Sequence, residues 1–189
     1  MSSVRNVFQQ VTQKVVSKQT DLSDEIIEEY RMISAFKVSE IIRLRHFFLE
    51  TTEGMESMSR ALFMNIEAIR ENPLLDRVCL CFGFLDLDTE LDFRGFLIGC
   101  AAFNSPALKE QKLRVAFRIQ DFDDDGVINE ADLTEYVKRI TTNLPEDEIE
   151  EMVQEVMLEV GNHLDVITFV DFQKAVARLD FQAKLLLPI

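Results

Sequence analysis

Tryptophan is absent, tyrosine and histidine each occur twice, cysteine occurs three times, and only six glycines and four prolines interrupt the 189 residues. Each shortage narrows the reading. His46 and His163 have no nucleophile or acid–base constellation beside them, so the chain shows no machinery for direct catalysis. Cys79, Cys81 and Cys100 are odd in number and follow no secretory signal, so reduced core thiols in a cytoplasmic protein are expected instead of a disulfide framework. Cys79 and Cys81 sit two apart in an apolar helical stretch, on different faces, with no partner pair to complete a zinc tetrahedron. No apolar run approaches the roughly 20 residues that span a bilayer, which leaves peripheral membrane contact open. Positive charge is also scarce. Against 34 acidic side chains stand 20 basic ones, and a net charge of -14 repels phosphate backbones, so nucleic acid is not an expected partner. The acidity is heavier in residues 106–189 than in 1–105, and a cation is drawn there.

Hydrophobic residues make up 47% of the chain, enough for one sizeable core or two small lobes. Their spacing is helical from end to end, which predicts an all-α protein. In 146–160, Pro145 suits a first turn, Glu146, Asp147 and Glu148 complement the helix dipole, and Ile149, Met152, Val153, Val156, Met157 and Val160 form a stripe. Similar stripes predict helices over about 23–33, 38–50, 59–70, 74–83, 93–103, 109–120, 130–142 and 169–178. Short helices with brief breaks suggest stacked helix–loop–helix units.

One break carries chemistry. Asp121-Phe122-Asp123-Asp124-Asp125-Gly126-Val127-Ile128-Asn129-Glu130-Ala131-Asp132 fits the twelve-residue EF-hand loop except at its last position. Asp121, Asp123 and Asp125, at positions 1, 3 and 5, set alternate carboxylates to converge on a hard cation. Gly126 permits the sharp turn, Val127 offers its backbone carbonyl, and Asn129 reaches the ion directly or through water. Ile128, at position 8, is expected to pair with its counterpart in a neighbouring loop. Asp132 replaces the usual glutamate and is one methylene shorter. It favours contact through a single oxygen and a smaller shell, so the loop is expected to hold Mg²⁺ or Ca²⁺ as one mixed site.

A search for an aliphatic position 8 and an apolar residue after position 12 finds three relics. In Val160 to Asp171, Ile167 takes position 8, but Val160, Leu164 and Asp165 occupy positions 1, 5 and 6, and Asn162 and Asp171 alone cannot hold an ion. In Phe84 to Gly95, Asp86, Asp88 and Asp92 survive, yet Phe84 stands at position 1 and Gly95 at position 12. The first relic is placed near Ala68, with Glu67 inside it and Glu53 and Glu56 upstream, as a structural hand only. The expected architecture is four EF-hands in two lobes: an extension at 1–20, a lobe with two degenerate hands at 21–104, a lobe with one metal-binding and one degenerate hand at 109–180, and an apolar tail at 181–189.

At these residues the chain resembles the calcium- and integrin-binding protein family, relatives of calcineurin B. Ala116-Phe117-Arg118-Ile119 leading into the acidic loop, the aspartate at its position 12, Asn72-Pro73-Leu74-Leu75-Asp76-Arg77-Val78-Cys79, Leu22 to Tyr30 and Asp180-Phe181 carry the likeness. It implies a two-lobed helical fold, Mg²⁺/Ca²⁺ sensing, and capture of apolar helices from membrane-protein tails. The chain departs from the family in its broken fourth loop and in Met1-Ser2-Ser3, which lacks the glycine for myristoylation, so that anchor is not expected.

In the extension, Val4, Val7, Phe8, Val11 and Val15 mark one helical face, and Arg5, Lys14 and Lys18 are its only charges. An anionic membrane surface, a partner, or this protein's own lobe are all open destinations. Fifteen phenylalanines and seven methionines suit a core and an adaptable groove. The tail Phe181 to Ile189 needs burial, either as a displaceable filling of that groove or as a permanent part of the core. The leading expectation is a regulatory protein, not an enzyme, that binds metal and an amphipathic helix of a target. The alternative is a constitutive subunit of an enzyme or motor.

Overall fold

The computed structural model describes residues 20–104, 109–161 and 165–178. The expectations for the extension through residue 19, for the tail 181–189, and for Asn162, His163 and Leu164 lie outside these. Among these residues the fold is all-α apart from two minimal ladders, and the chain divides into two units, one running through Lys112 and the other from Leu113.

The first unit opens with α1 (Asp24–Ser34). Ser23 caps it by accepting from the Ile26 N–H, Asp24 and Glu25 sit in the first turn, and Ala35 ends it in the left-handed region at φ 57°. In α2 (Val38–Thr51), the Glu40 carboxylate reaches back to accept from the Lys37 N–H at 2.8 Å. A strand β1 (Ser57–Ser59) leads into the five-residue α3 (Arg60–Met64). Then come α4 (Leu75–Phe82), closed by Gly83 at φ 104°, β2 (Glu90–Asp92) and α5 (Phe93–Asn104).

The helix expected over 59–70 therefore stops at Met64. Ile66 and Ile69 continue the apolar spacing and are buried, but a tight turn with Ile69 N–H bonded to Ile66 C=O carries them. Spacing of three is common to both geometries, so periodicity could not separate them.

The core of this unit is aromatic. Phe48, Phe63, Phe84 and Phe96 are fully buried, and rings meet at 4.6 Å (Phe63–Phe82), 5.1 Å (Phe63–Phe84) and 5.5 Å (Phe48–Phe96). Cys79 and Cys100 are buried in the same cluster, and burial pushes both thiols above their ordinary range.

The second unit contains most of α6 (Lys109–Gln120), then β3 (Val127–Ile128), α7 (Glu130–Ile140), α8 (Glu146–Val160), β4 (Ile167–Thr168) and α9 (Phe169–Arg178). Its core gathers Phe117, Ile128, Leu133, Ile149, Val153 and Ile167. Phe117 meets the rings of Phe169 and Phe172 edge-on at 5.6 Å each. The stripe on α8 is only half used: Ile149 and Val153 are buried, while Met152 and Val156 are exposed.

Candidate metal centre

The two ladders fix the loop frames. Strand β3 pairs with β4 through Ile128↔Ile167, so Ile128 meets the position-8 residue of the fourth loop. Strand β1 pairs with β2 through Met58↔Leu91. Leu91 is position 8 of the loop 84–95, which makes Met58 position 8 of a first loop running from 51 to 62, not one ending near Ala68. Met64 offers the same aliphatic signal in the wrong frame, and only the partner strand tells them apart. In the corrected frame, positions 1, 5 and 12 are Thr51, Met55 and Leu62, which provide no carboxylate.

Within the third loop the chain folds around its own carboxylates. Asp121 leaves the end of α6 nearly buried, and its oxygens accept from the N–H groups of Asp125 at 3.1 Å and Gly126 at 3.0 Å. Asp123 Oδ1 accepts from the same Asp125 N–H at 3.2 Å, and Asp125 Oδ1 accepts from the Val127 N–H at 2.9 Å. Asp124 and Gly126 take φ of 56° and 90°, the positive values that turn the chain back on itself.

Asn129 then caps α7, its Oδ1 accepting from Ala131 and Asp132. Asp132 spans the loop: Oδ1 accepts from the Phe122 N–H at 2.8 Å and Oδ2 from the Asn129 N–H at 3.0 Å. Arg139 lies 4.7 Å over the Phe122 ring and steadies that side.

Carboxylate oxygens of Asp121, Asp123 and Asp132 lie within 4.8 Å of one another. Asp125 is not in that group, and Val127 enters at the start of β3. Asp121 and Asp132 are each 4% exposed. Burial raises the Asp121 carboxyl above its ordinary value, the charges of Asp124 and Asp125 add to the rise, and the two backbone N–H groups oppose it. Two nearly buried carboxylates so close together repel, and a divalent cation is the species that relieves this. Every donor is a hard oxygen, so the residues present fit Ca²⁺ or Mg²⁺.

The other loops lack such a cluster among the described residues. Phe84, which should be a ligand, is wholly buried in the aromatic core. Asp86 spends its side chain on Asp88 N–H and the Thr89 hydroxyl, and Asp92 accepts from Gly95 N–H. Asp171 accepts from the Thr168 hydroxyl and N–H at the start of α9.

No family model matches the sequence. Individual proteins do. The type 2 calcineurin B subunit of Homo sapiens is 35% identical over 159 residues, 82% of this chain and 93% of that protein. The calcineurin B subunit of Schizosaccharomyces pombe is 32% identical over 158 residues, covering 81% and 89%. The chain belongs to the calcineurin B-like family of EF-hand calcium-binding proteins. The type 2 calcineurin B subunit of Rattus norvegicus, at 32% over 167 residues, extends the match to 87% of the chain and 94% of that relative. The alignment thus reaches across both units of this calcineurin B-like protein.

Sequence reasoning missed a second charged feature, in the first hand. Arg45 on α2 is buried, its Nε donates to both oxygens of Asp21 at 3.1 Å, and Nη2 donates to Asp21 and, at 2.7 Å, to Glu56 of the first loop. Its guanidinium lies 5.3 Å from the Phe93 ring. The signal was present: Arg45 continues the buried positions Ile41, Leu44 and Phe48, where a charge needs partners. A fixed side-chain cation thus ties the first loop to the chain ahead of α1. No helix among the described residues is long and apolar enough to cross a membrane.

Proposed function

We propose that this chain is a non-catalytic regulatory subunit held constitutively by an enzyme, with one divalent ion in its third hand. The observation that carries the reading is an alignment with calcineurin B subunits that covers most of both chains, since those relatives are named as subunits of a larger assembly. Ile140, Met152 and Val156 are exposed on α7 and α8, apolar side chains of the kind that an amphipathic helix of a partner protein covers. The comparisons favour this subunit role over a free-standing sensor of membrane-protein tails, and membrane contact has no support among the described residues.

Asp121, Asp123 and Asp132 would hold the ion with their carboxylates, Asp125 and the Val127 carbonyl completing the shell. Asn129, whose side-chain oxygen already accepts two N–H groups, would contribute through a water. The ion supplies charge neutralisation at the loop and fixes the angle between α6 and α7; no chemistry passes through it. With one such cluster among the described residues, the site serves shape more than a cooperative calcium response.

Two measurements test the proposal. Calorimetric titration of metal-stripped protein with Ca²⁺, with and without Mg²⁺, is expected to give one site, competed by Mg²⁺ and lost in Asp121→Ala. Purification at native expression levels is expected to return a stoichiometric catalytic subunit that stays bound in chelator. Release of every partner on chelation would overturn the constitutive role, and two or more calcium sites would overturn the metal assignment.

A further inference from the structure

In the third hand, carboxylates from both ends of one loop converge. The first hand shows a convergence of its own, with a cation already at its centre. Asp21 and Glu56 come from separate segments, yet both accept from one nitrogen, Nη2 of Arg45, Glu56 at 2.7 Å. Arg45 stands on α2, the helix that enters the first loop, and is 4% exposed. The turn of that loop is also closed by protein atoms. Thr52 is fully buried, with its hydroxyl 2.9 Å from the Phe48 carbonyl and 2.6 Å from that of Met55. The Gly54 N–H donates to the Leu49 carbonyl at 2.8 Å, and Glu53 and Gly54 take φ of 54° and 86° to make that bond.

Protein atoms fill the second loop as well. Phe84 at position 1 is wholly buried, its ring 5.1 Å from that of Phe63. At position 12, a Cβ on Gly95 would lie 2.7 Å from Leu91 Cδ1. Leu91 is buried and held by the ladder to Met58, so it has little room to yield to a carboxylate side chain there.

The two kinds of cation differ in one respect that matters for regulation. A divalent ion stabilises a hand only as far as its concentration exceeds its dissociation constant. A guanidinium is covalently attached and stays charged at any pH the folded chain meets. We infer that Arg45 is the resident cation of the first hand, standing in for a divalent ion, and that the fold of the first unit is therefore independent of Ca²⁺ and Mg²⁺. Control by these ions then acts through the second unit, while the first presents the same surface at every calcium level. The inference is independent of the enzyme-subunit reading.

Hydrogen–deuterium exchange of the full chain tests this, read by mass spectrometry of peptides in excess Ca²⁺ and in EGTA at matched ionic strength. In the wild type, peptides within 21–34 and 48–59 are expected to exchange within about twofold of the same rate in both conditions. Arg45→Met is expected to speed their exchange on the order of thirtyfold, equally with and without Ca²⁺, the ratio that corresponds to about 2 kcal/mol. Glu56→Gln alters a side chain that is 73% exposed and so spares the fold; it is expected to speed exchange in 48–59 by about threefold and to leave 75–104 unchanged. Slowing of the wild-type peptides by about tenfold or more on adding Ca²⁺ would show a hand that answers to metal and overturn the inference. Unchanged exchange in 48–59 of both variants would overturn it too. Should Arg45→Met fail to fold, Glu56→Gln carries the decision by the same readings.

Discussion

Replacing Arg45 with methionine removes a buried cation while keeping an unbranched apolar stem in α2. The guanidinium makes bonds to Asp21 and Glu56 and lies against Phe93. Hydrogen bonds to charged partners contribute roughly 1.5–3 kcal/mol each when buried, and the ring contact about 0.5–1 kcal/mol. The carboxylates set the discount. Asp21 and Glu56 are 48% and 73% exposed as side chains, so both rehydrate once released, and exposed pairs retain only about 0.2–1 kcal/mol. The net expectation for Arg45→Met is a loss of about 2 kcal/mol from the first unit. Arg45→Ala is expected to lose about 1–2 kcal/mol more, because the stem's packing goes as well.

The pH dependence has a definite sign. The Arg45 hydrogen bonds hold the Asp21 and Glu56 carboxyls below their ordinary values in the folded chain. A depressed folded value means that this stabilisation is complete above the unfolded values, about 3.9 and 4.3, and is lost as pH falls through the folded ones. Wild type should therefore lose stability in acid faster than Arg45→Met does. The assay is urea unfolding read by amide exchange in α1 and α2, with Ca²⁺ present so that the second unit does not obscure the first. If Arg45→Met is within about 0.5 kcal/mol of wild type at pH 7, or its acid sensitivity is unchanged, the argument for a cationic clamp in the first hand is refuted.

Asp132→Glu restores the longer side chain at loop position 12 and is expected to strengthen Ca²⁺ binding by about tenfold or more relative to Mg²⁺, read by competitive calorimetry. Gly99→Ala would place a Cβ 2.3 Å from Phe82 Cδ1; the overpacking is expected to cost about 1–3 kcal/mol in chemical denaturation, with the second unit unaffected. Stripping the ion from protein held at a hundredfold excess over its dissociation constant should remove about 2.7 kcal/mol from the second unit, and Asp121→Ala should abolish that difference in thermal unfolding.

Much of this protein was legible because its signals are local. Helical spacing and capping residues gave α2, α5, α8 and α9 nearly to the residue, since apolar periodicity and first-turn acids act within a few positions. The acidic loop was readable as a turn that closes on its own carboxylates; Asp121, Asp123 and Asp132 converge, while Asp125, expected beside Asp121 and Asp123, lies outside that group. The pairing of Ile128 with Ile167 followed from the same frame.

Tertiary structure alone decided the rest, wherever two local solutions were equally good. Met58 and Met64 both satisfied the first loop's pattern, and the hydrogen-bonded ladder to Leu91 chose Met58. Ile66 and Ile69 read as helix, but burial in the aromatic core was achieved by a tight turn. Arg45 finds Asp21 across 24 positions and Glu56 across 11, a union that no periodicity encodes because it exists only after α1 has packed. The exposure of Leu85 and Leu87 to water is likewise a property of the folded surface. Sequence determines what a segment can form by itself; which of its faces meets another segment, and which is left to water, is set by the packing of the whole unit.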